Sequence, residues 1–356
     1  MTEQIKVSLC IPTNGIVKWV RPVWDSIYAS RCRESEYEVI VTDNGNDPEF
    51  QSMMEQYAAR YQNLIYKKTD AVQFLNQIEA FKLARGNMIK FINHRYALKE
   101  GALQYLIDFS EKYTDKCPGI YFLNQAEKRK ETQAVYENFD AYVGALSYWS
   151  SWSAGTTIWK KDLEELDFTQ TFNKMFPHTD VIFSARKKDM YIIDNTALLT
   201  DLEPNASQKG KYDLFDTFAV EYVKIIERLY KDGDITLETF EKVKKENLDL
   251  VMSFYVSFVM IKRPCSYDLS NFSDSIVVYY KKGAAFWSAV RYIVKEGRIQ
   301  EIQGGKNVSK PRDGYCISSS EQALGEYHAK RNEADTVFDV RSAGEWKTRQ
   351  MDASGI

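Results

Sequence analysis

The chain has 356 residues, which at roughly 150 residues per domain predicts about two domains and ample material for a buried core. Lysine and arginine together number 47 and aspartate and glutamate 50, so the formal net charge is −3. A chain without excess positive charge lacks the electrostatic basis for binding duplex nucleic acid, and we expect no nucleic-acid partner.

The five cysteines are scattered and form no CxxC pair, which argues against a disulfide framework and against a structural zinc site. No apolar leader precedes the first predicted strand. The longest apolar run, at 248–261, is interrupted by polar residues and is shorter than the roughly 20 residues that span a membrane. We therefore expect a cytoplasmic protein.

Short β-rich runs alternate with stretches of helical spacing through the first half of the chain. We predict strands at 5–12, 37–42, 63–67, 88–93, 119–124 and 152–160, helices at 17–30, 48–61, 72–85 and 101–113, and a loop at 125–147. This alternation is typical of an α/β fold with a mostly parallel sheet flanked by helices. The functional loops of such a sheet lie at the carboxyl ends of its strands.

The pattern changes to helices beyond residue 205, where the run 203–207 breaks both periodicities. We predict helices at 213–231, 236–262 and 283–296 and one strand at 275–280. The predicted domains are 1–205, a helical domain at 206–300 and an irregular tail at 301–356. The helical domain is expected to pack against the first domain or a second copy of the chain, or to contact a membrane surface peripherally.

Two polar loops follow the first two predicted strands. Pro12, Thr13 and Asn14 come after the first strand, and Asp43 and Asn44 after the second. Each loop can be read as a simple turn at a strand end. The alternative is a nucleotide site, because backbone amides and a carboxylate on neighbouring strand ends can bind a base or a ribose.

The run 7–14, followed one strand later by 39–45, resembles the opening of the family 2 glycosyltransferases, which have the Rossmann-like GT-A fold. The resemblance continues through Asn76 and the strand at 88–92 and covers about residues 5–200. It implies that Pro12, Thr13, Asn14, Asp43 and Asn44 hold the nucleoside of a nucleotide-sugar donor, and that Asn76 faces the ribose or the diphosphate.

The chain departs from the family at the end of the 88–92 strand. The family has an Asp-x-Asp motif there that holds Mg²⁺ or Mn²⁺, whereas this chain has Asn93, His94 and Arg95. Arginine has no acceptor atom and a fixed positive charge, which disfavours a hard divalent cation beside it. Asparagine and histidine can ligate a metal, so Mg²⁺ or Mn²⁺ is disfavoured but still an open alternative, and we expect metal binding to be weak or absent. We expect Arg95, with His94 and Asn93, to contact the diphosphate directly. The alternative is a decayed site.

The run 175–186 resembles the segment of the family that supplies the general base. Asp180 and Arg186 have the family's separation, although Thr179 replaces the first acidic residue of the usual pair. Asp180 is our candidate base, and a helix cap is its alternative role. His178 lies two residues away and is a candidate for sharing the proton transfer, or else a structural hydrogen bonder.

Trp152 and Ser153 are the candidate acceptor-binding residues, because the run 152–157 resembles the acceptor-side segment of the family. Trp149 and Trp152 flank Ser150 and Ser151, and either indole is a candidate platform for an acceptor sugar or an ordinary core residue.

These features predict an inverting glycosyltransferase that uses a nucleotide-sugar donor, with UDP-sugar as the first choice. The resemblance implies a glycan or lipid-linked glycan acceptor in capsule or O-antigen synthesis. Two alternatives stay open. One is a non-catalytic sugar-nucleotide-binding scaffold, and the other is a transferase that acts on a protein side chain.

Overall fold

The computed structural model describes residues 4–127 and 131–304. The strands are β1 (Val7–Thr13), β2 (Tyr37–Asp43), β3 (Leu64–Lys68), β4 (Met88–Phe91), β5 (Tyr96–Leu98), β6 (Gly119–Phe122), β7 (Gln133–Tyr136), β8 (Thr157–Trp159), β9 (Tyr191–Asp194) and β10 (Leu199–Asp201). The α-helices of the first part are α1 (Val17–Tyr28), α2 (Pro48–Arg60), α3 (Asn76–Leu83), α4 (Ala102–Tyr113), α5 (Phe139–Leu146), α6 (Lys160–Glu164) and α7 (Pro177–Ile182). Those that follow are α8 (Tyr222–Lys231), α9 (Leu237–Phe254), α10 (Phe272–Tyr279) and α11 (Lys282–Gly304). Together they confirm the predicted α/β fold with a helical C-terminal region.

The main sheet has the strand order β3-β2-β1-β4-β8, with β8 antiparallel and the other strands parallel. Successive side chains of a strand point to opposite faces. Accordingly, Leu9 and Ile11 pack on the side of α1 and α4, whereas Cys10 packs on the side of α3. Because both faces are covered by helices, most side chains of the central strands are apolar, and the polar residues in mid-strand, Ser8, Glu38 and Lys90, are buried as well.

A second sheet has the order β6-β9-β7, and a two-stranded ribbon joins β5 to β10. One face of the second sheet packs on α5, α8 and α9 in a single apolar cluster that contains Tyr121 and Ile193 as well as Phe215 and Val251. This cluster holds residues from both sides of position 205. The predicted domain division there stays a prediction.

Two predicted elements were wrong. The supposed loop at 125–147 contains β7, which pairs with β9, and the helix α5, whose Tyr142 and Val143 are buried. The run 275–280 is rich in β-branched residues but forms most of α10. Its Ile276 and Tyr280, four residues apart, face the core. The helix is favoured because this spacing buries both side chains on one face.

Other boundaries differ in detail. The predicted helix at 72–85 is a 3₁₀ turn at Gln73–Leu75 followed by α3, and the helix at 236–262 is α9 followed by a π-helix at Tyr255–Met260. Among the described helices, none is long and apolar enough to cross a membrane. The predicted irregular tail lies, from residue 305 onward, outside the described residues.

Candidate functional site

The ends of β1 and β2 lie side by side, and Thr13 is paired in register with Asp43. The loops that leave these strands approach so closely that a Cβ on Gly45 would lie 1.9 Å from the carbonyl oxygen of Asn14. Gly15 has φ +77°, which favours glycine, and its amide donates to Thr13 Oγ1. The two predicted nucleoside loops therefore form one surface.

Asp43 is fully buried, and its two oxygens accept different hydrogen bonds. Oδ1 accepts from the amide of Gly45 at 2.7 Å, and Oδ2 accepts from the hydroxyl of Tyr66 at 3.0 Å. Lys68 Nζ lies 3.5 Å from Oδ2. Asn44 donates to the carbonyls of Ala71 and Gln73, so the second loop is tied to the turn that precedes α3.

Asn76 is buried at the start of α3 and joins the two strand ends. Its amide nitrogen donates to the carbonyls of Thr13, at 3.1 Å, and Thr42, at 2.8 Å. Its amide oxygen accepts from the hydroxyl of Thr69 at 2.8 Å. These contacts make Asn76 a residue that positions both loops, and its expected contact with the donor stays a prediction. Asn14 is exposed at the same edge and Pro12 is half-buried.

The turn after β4 brings Asn93, His94 and Arg95 to the edge that carries Thr13. His94 Nδ1 lies 2.8 Å from Thr13 Oγ1. Asn93 Oδ1 accepts from the amide of Arg95 at 3.1 Å, which fixes the turn. Burial, together with the charges of Arg95 and Lys209, lowers the pKa of His94 to about 3, so this imidazole is neutral at physiological pH.

Arg95 is 8% exposed, and its guanidinium lies 3.7 Å above the centre of the Trp19 ring. Its Nε and the indole Nε1 of Trp19 are buried and have no hydrogen-bond partner among the described residues. Burial lowers the pKa of Arg95, and the field of Asp201 and Glu203 opposes that shift. Since an arginine stays charged in a protein, this corner holds a buried cation with unused donors.

The segment 202–212 passes over this edge. It begins where the amide of Leu202 donates to the carbonyl of Arg95, and its last residue, Tyr212, packs edge-on against Phe74. Phe74 belongs to the turn to which Asn44 is bonded. Within the segment, Lys209 Nζ lies 3.0 Å from Asp201 Oδ2. The segment therefore adds a second cation close to His94.

The residues at this corner do not fit a divalent metal ion. In the described ranges, no group of three or more His, Cys, Asp and Glu side chains is arranged to hold one. The position of the family's acidic motif is occupied by the buried guanidinium of Arg95, and His94 Nδ1 already faces a hydroxyl. Arg95 supplies positive charge without a metal.

Trp152 and Ser153 lie at the junction of two 3₁₀ turns, Ser147–Ser151 and Ser153–Gly155, and both residues are half-buried. The Trp152 ring packs edge-on against Tyr96, with ring centroids 6.0 Å apart. Because Tyr96 directly follows Arg95, the predicted acceptor-side tryptophan lies next to the predicted diphosphate corner.

Asp180 is buried in α7, and both of its oxygens are engaged. Oδ1 accepts from Arg228 at 2.5 Å, and Oδ2 accepts from the amide of Asn173 at 2.6 Å. Arg186 does not contact Asp180; it bonds to Asp234. The cation that pairs with Asp180 therefore comes from α8 in the helical region.

His178 is buried in α7, two residues before Asp180. Its Nε2 donates to the carbonyl of Ser151 at 3.0 Å, and its Nδ1 is buried without a partner among the described residues. Burial lowers the pKa of His178 to about 4. Thr179 Oγ1 donates to the carbonyl of Ser150, so two neighbouring residues of α7 hold the turn that leads to Trp152.

Sequence reasoning missed Trp19 and Lys209. Trp19 lies in the first turn of α1, four residues before Val23 and on the same buried face, so its spacing predicts a core residue and gives no signal of a site. Lys209 gives no signal either, because it lies in a polar run that is typical of a linker and reaches the site only through the path of the chain.

Comparisons with known proteins bear on the family and the fold of the chain. Residues 8–182 match the model of Glycosyl transferase family 2. None of the curated proteins matches the chain. Among solved structures, S. aureus TarS 1–349 in complex with UDP-GlcNAc superposes with a TM-score of 0.52 at 15% identity, over 77% of this chain and 79% of that chain.

Two further structures are similar at lower scores. A longer S. aureus TarS structure gives a TM-score of 0.49 at 14% identity over 71% of this chain, and only 44% of that TarS chain is covered. The mannosyltransferase PcManGT from Pyrobaculum calidifontis, in complex with GDP-Man and Mn²⁺, gives 0.47 at 11% identity over 85% of this chain and 88% of that chain.

The fold and the family match define the class of the protein. Residues 8–182 form a Glycosyl transferase family 2 domain of GT-A fold, and the predicted recognition of that family is confirmed. The chain is a glycosyltransferase.

Proposed function

We propose that the chain is an inverting glycosyltransferase that moves a sugar from a UDP-sugar to a glycan acceptor without a metal ion. The observation that carries this proposal is the buried guanidinium of Arg95, which forms no direct ion pair with any described residue and feels Asp201 and Glu203 only at longer range. A buried charge without a partner is unfavourable. The diphosphate of a nucleotide sugar supplies the missing negative charge and accepts bidentate hydrogen bonds from arginine.

The donor nucleoside lies, in this proposal, on the surface made by Pro12, Thr13, Asn14, Asp43 and Asn44. Their common placement at two neighbouring strand ends supports the assignment. The complex of TarS 1–349 with UDP-GlcNAc supports uridine as the base.

The diphosphate lies at the corner of Asn93, His94 and Arg95. Lys209 completes this corner, and Asn76 positions the two loops at its edge. The two cations balance the charge that develops on the leaving diphosphate.

Asp180 is the general base of the transfer. It takes the proton of an acceptor hydroxyl as that oxygen forms a bond to the anomeric carbon. The bond from that carbon to the diphosphate breaks on the opposite face, and its electron pair leaves with the phosphate, which inverts the configuration. A carboxylate has about four lone-pair sites, so Asp180 keeps free sites beside its bonds to Arg228 and the Asn173 amide.

His178 acts as a positioning residue in this proposal, because its Nε2 is committed to the turn that carries Trp152. Trp152 and Ser153 contact the acceptor. We assign the acceptor to a glycan or lipid-linked glycan of a bacterial surface polysaccharide such as capsule or O-antigen. Exposed Trp287 and Phe286 on α11 support peripheral contact with a membrane or a second copy of the chain.

Calorimetric titration with UDP-, GDP-, CMP- and dTDP-sugars, each with Mn²⁺ and with EDTA, tests the proposal. We expect one UDP-sugar to bind equally well in EDTA and to be hydrolysed slowly in the absence of an acceptor. Binding that requires Mn²⁺ would contradict the metal-independent site. Absence of binding to every donor would contradict the whole proposal and favour the scaffold alternative.

A further inference from the structure

A cleft of about 340 Å³ opens between the turn that follows α5 and the middle of α9, and none of the proposed donor residues lines it. Clefts of this size are typical of small-molecule sites. Its walls include Ser147, Tyr148, Trp149, Lys242, Glu246 and Asp249. We propose that this cleft binds a neutral, hydroxyl-rich stretch of the acceptor glycan, away from the sugar that is modified. The inference rests on the proposed function.

The aromatic wall of the cleft suits a sugar ring. Tyr148 and Trp149 are both half-buried, and their ring centroids lie 5.1 Å apart at an interplanar angle of 35°. Large aromatic rings offer a broad contact surface at low entropic cost. A pyranose has flat apolar patches of C–H groups that pack on such a ring, while its hydroxyl groups remain available to polar partners.

Two polar groups of the cleft have unused hydrogen-bonding capacity. Glu246 is half-buried, and its carboxylate makes no ion pair or hydrogen bond with any described residue. Ser147 is 5% exposed, and its hydroxyl oxygen is buried without a partner among the described residues. Buried polar groups of folded proteins are normally satisfied. Sugar hydroxyls can donate to both of these oxygens.

The charge of the cleft favours a neutral ligand. Three carboxylates, Glu127, Glu246 and Asp249, and two ammonium groups, Lys242 and Lys295, line the cleft. Asp249 is in turn paired with the guanidinium of Arg291. Burial and the field of those carboxylates raise the pKa of Tyr148 to about 12. The charges at the cleft are therefore close to balanced, and no cluster of cations is present among its lining residues to bind a phosphate-containing or uronic-acid chain.

The cleft is connected to the proposed base by one short turn. The turn Ser147–Ser151 carries Trp149, and its carbonyls at Ser150 and Ser151 accept hydrogen bonds from Thr179 and His178. A glycan that packs on Trp149 therefore contacts the turn Ser147–Ser151, which α7 holds in place through these two hydrogen bonds. This arrangement lets one acceptor chain occupy the cleft and extend toward Asp180.

Calorimetry with three neutral probes, maltotetraose, chitotetraose and mannotetraose, tests the inference, and tetragalacturonate serves as the charged probe. We expect saturable binding of at least one neutral probe and weaker binding of tetragalacturonate. Loss of a hydrogen bond to a charged group should weaken the neutral probe about tenfold in Glu246→Gln. Trp149→Phe should weaken it as well, by reducing the stacking surface.

Matched controls are Glu241→Gln, on an exposed position of the same helix, and Trp287→Phe, on α11; both should bind the neutral probe as the unsubstituted protein does. The inference is overturned if no neutral probe binds, if Glu246→Gln and Trp149→Phe bind normally, or if tetragalacturonate binds most tightly. UDP titration of the unsubstituted protein reports on the donor site separately, so failure of the cleft and failure of the proposed function are distinguishable.

Discussion

The proposed donor edge and the proposed acceptor side of this chain differ in how their charged groups are satisfied. At the donor edge, the guanidinium of Arg95 is buried against Trp19 and forms no direct ion pair with any described residue, while Asp201 and Glu203 act on it at longer range. At the acceptor side, Asp180 is buried with both oxygens bonded, one to Arg228 and one to the amide of Asn173.

The difference shows which half of the site depends on its ligand. A buried cation without a direct ion pair costs free energy that an incoming anion recovers, so under the proposed function the diphosphate completes the donor edge. The ion pair of Asp180 is complete without any ligand, so the acceptor side is already ordered. The four predictions below test this contrast, from the largest expected effect to the smallest.

Asp180→Asn should lower the turnover of glycosyl transfer by about a thousandfold, because an amide cannot accept the acceptor proton. Donor binding should be little affected, since the donor corner is built from other residues. Steady-state kinetics together with UDP calorimetry measure the two effects. Asp189→Asn, at an exposed position after α7, is the matched control. A variant with full turnover would remove Asp180 from the mechanism.

Arg95→Met should weaken UDP about a hundredfold, since it removes a charge-assisted, bidentate partner of the diphosphate. Uridine, which lacks phosphate, should bind to the variant and to the unsubstituted protein alike. Arg21→Met changes an exposed arginine of α1 and should leave both affinities unchanged. Equal losses of UDP and uridine binding would instead indicate general damage to the fold.

The sequence predicted the placement of the proposed donor residues better than that of the partners of Asp180, for a physical reason. Parallel strands bring their carboxyl ends to one edge, so the closeness of the loops at Thr13 and Asp43 follows from the alternation of elements, and the structure adds their register. The path of the 202–212 segment depends on tertiary packing, so the sequence alone could not predict that Lys209 lies close to His94. The same holds for Arg228, which reaches Asp180 from another helix.

Short elements were the main errors of the fold prediction. The strand predicted at 275–280 followed the β-branched residues Val277 and Val278, both of which are exposed in α10. The burial of Ile276 and Tyr280 on one helical face outweighs that local preference. Similarly, β7 has only four residues and depends on pairing with β9.

The burial of His178 predicts a dependence of folding stability on pH. Its pKa is about 4 in the folded protein and about 6.5 when unfolded, so the unfolded chain binds more protons between these values. The free energy of unfolding should therefore fall by about 2 kcal/mol through this group between about pH 7.5 and about pH 5. His178→Gln keeps a hydrogen-bond donor for the carbonyl of Ser151. Urea titrations of this variant over the same pH range should show a free energy of unfolding that falls less with decreasing pH than that of the unsubstituted protein. An unchanged slope would show that the imidazole is not buried as described.

Lys209→Ala should weaken UDP about fivefold, less than the change at Arg95, because the ammonium must first leave its ion pair with Asp201. Because Asp201→Asn removes the carboxylate that holds Lys209, this variant should bind UDP at least as tightly as the unsubstituted protein does. Calorimetry of both variants against uridine and UDP separates a phosphate contact from a change in the segment itself. Lys211→Ala, two residues away and exposed, is the control for the segment. If it weakened UDP as much as Lys209→Ala, the cation beside His94 would have no special role, and Arg95 alone would distinguish the donor edge from the acceptor side.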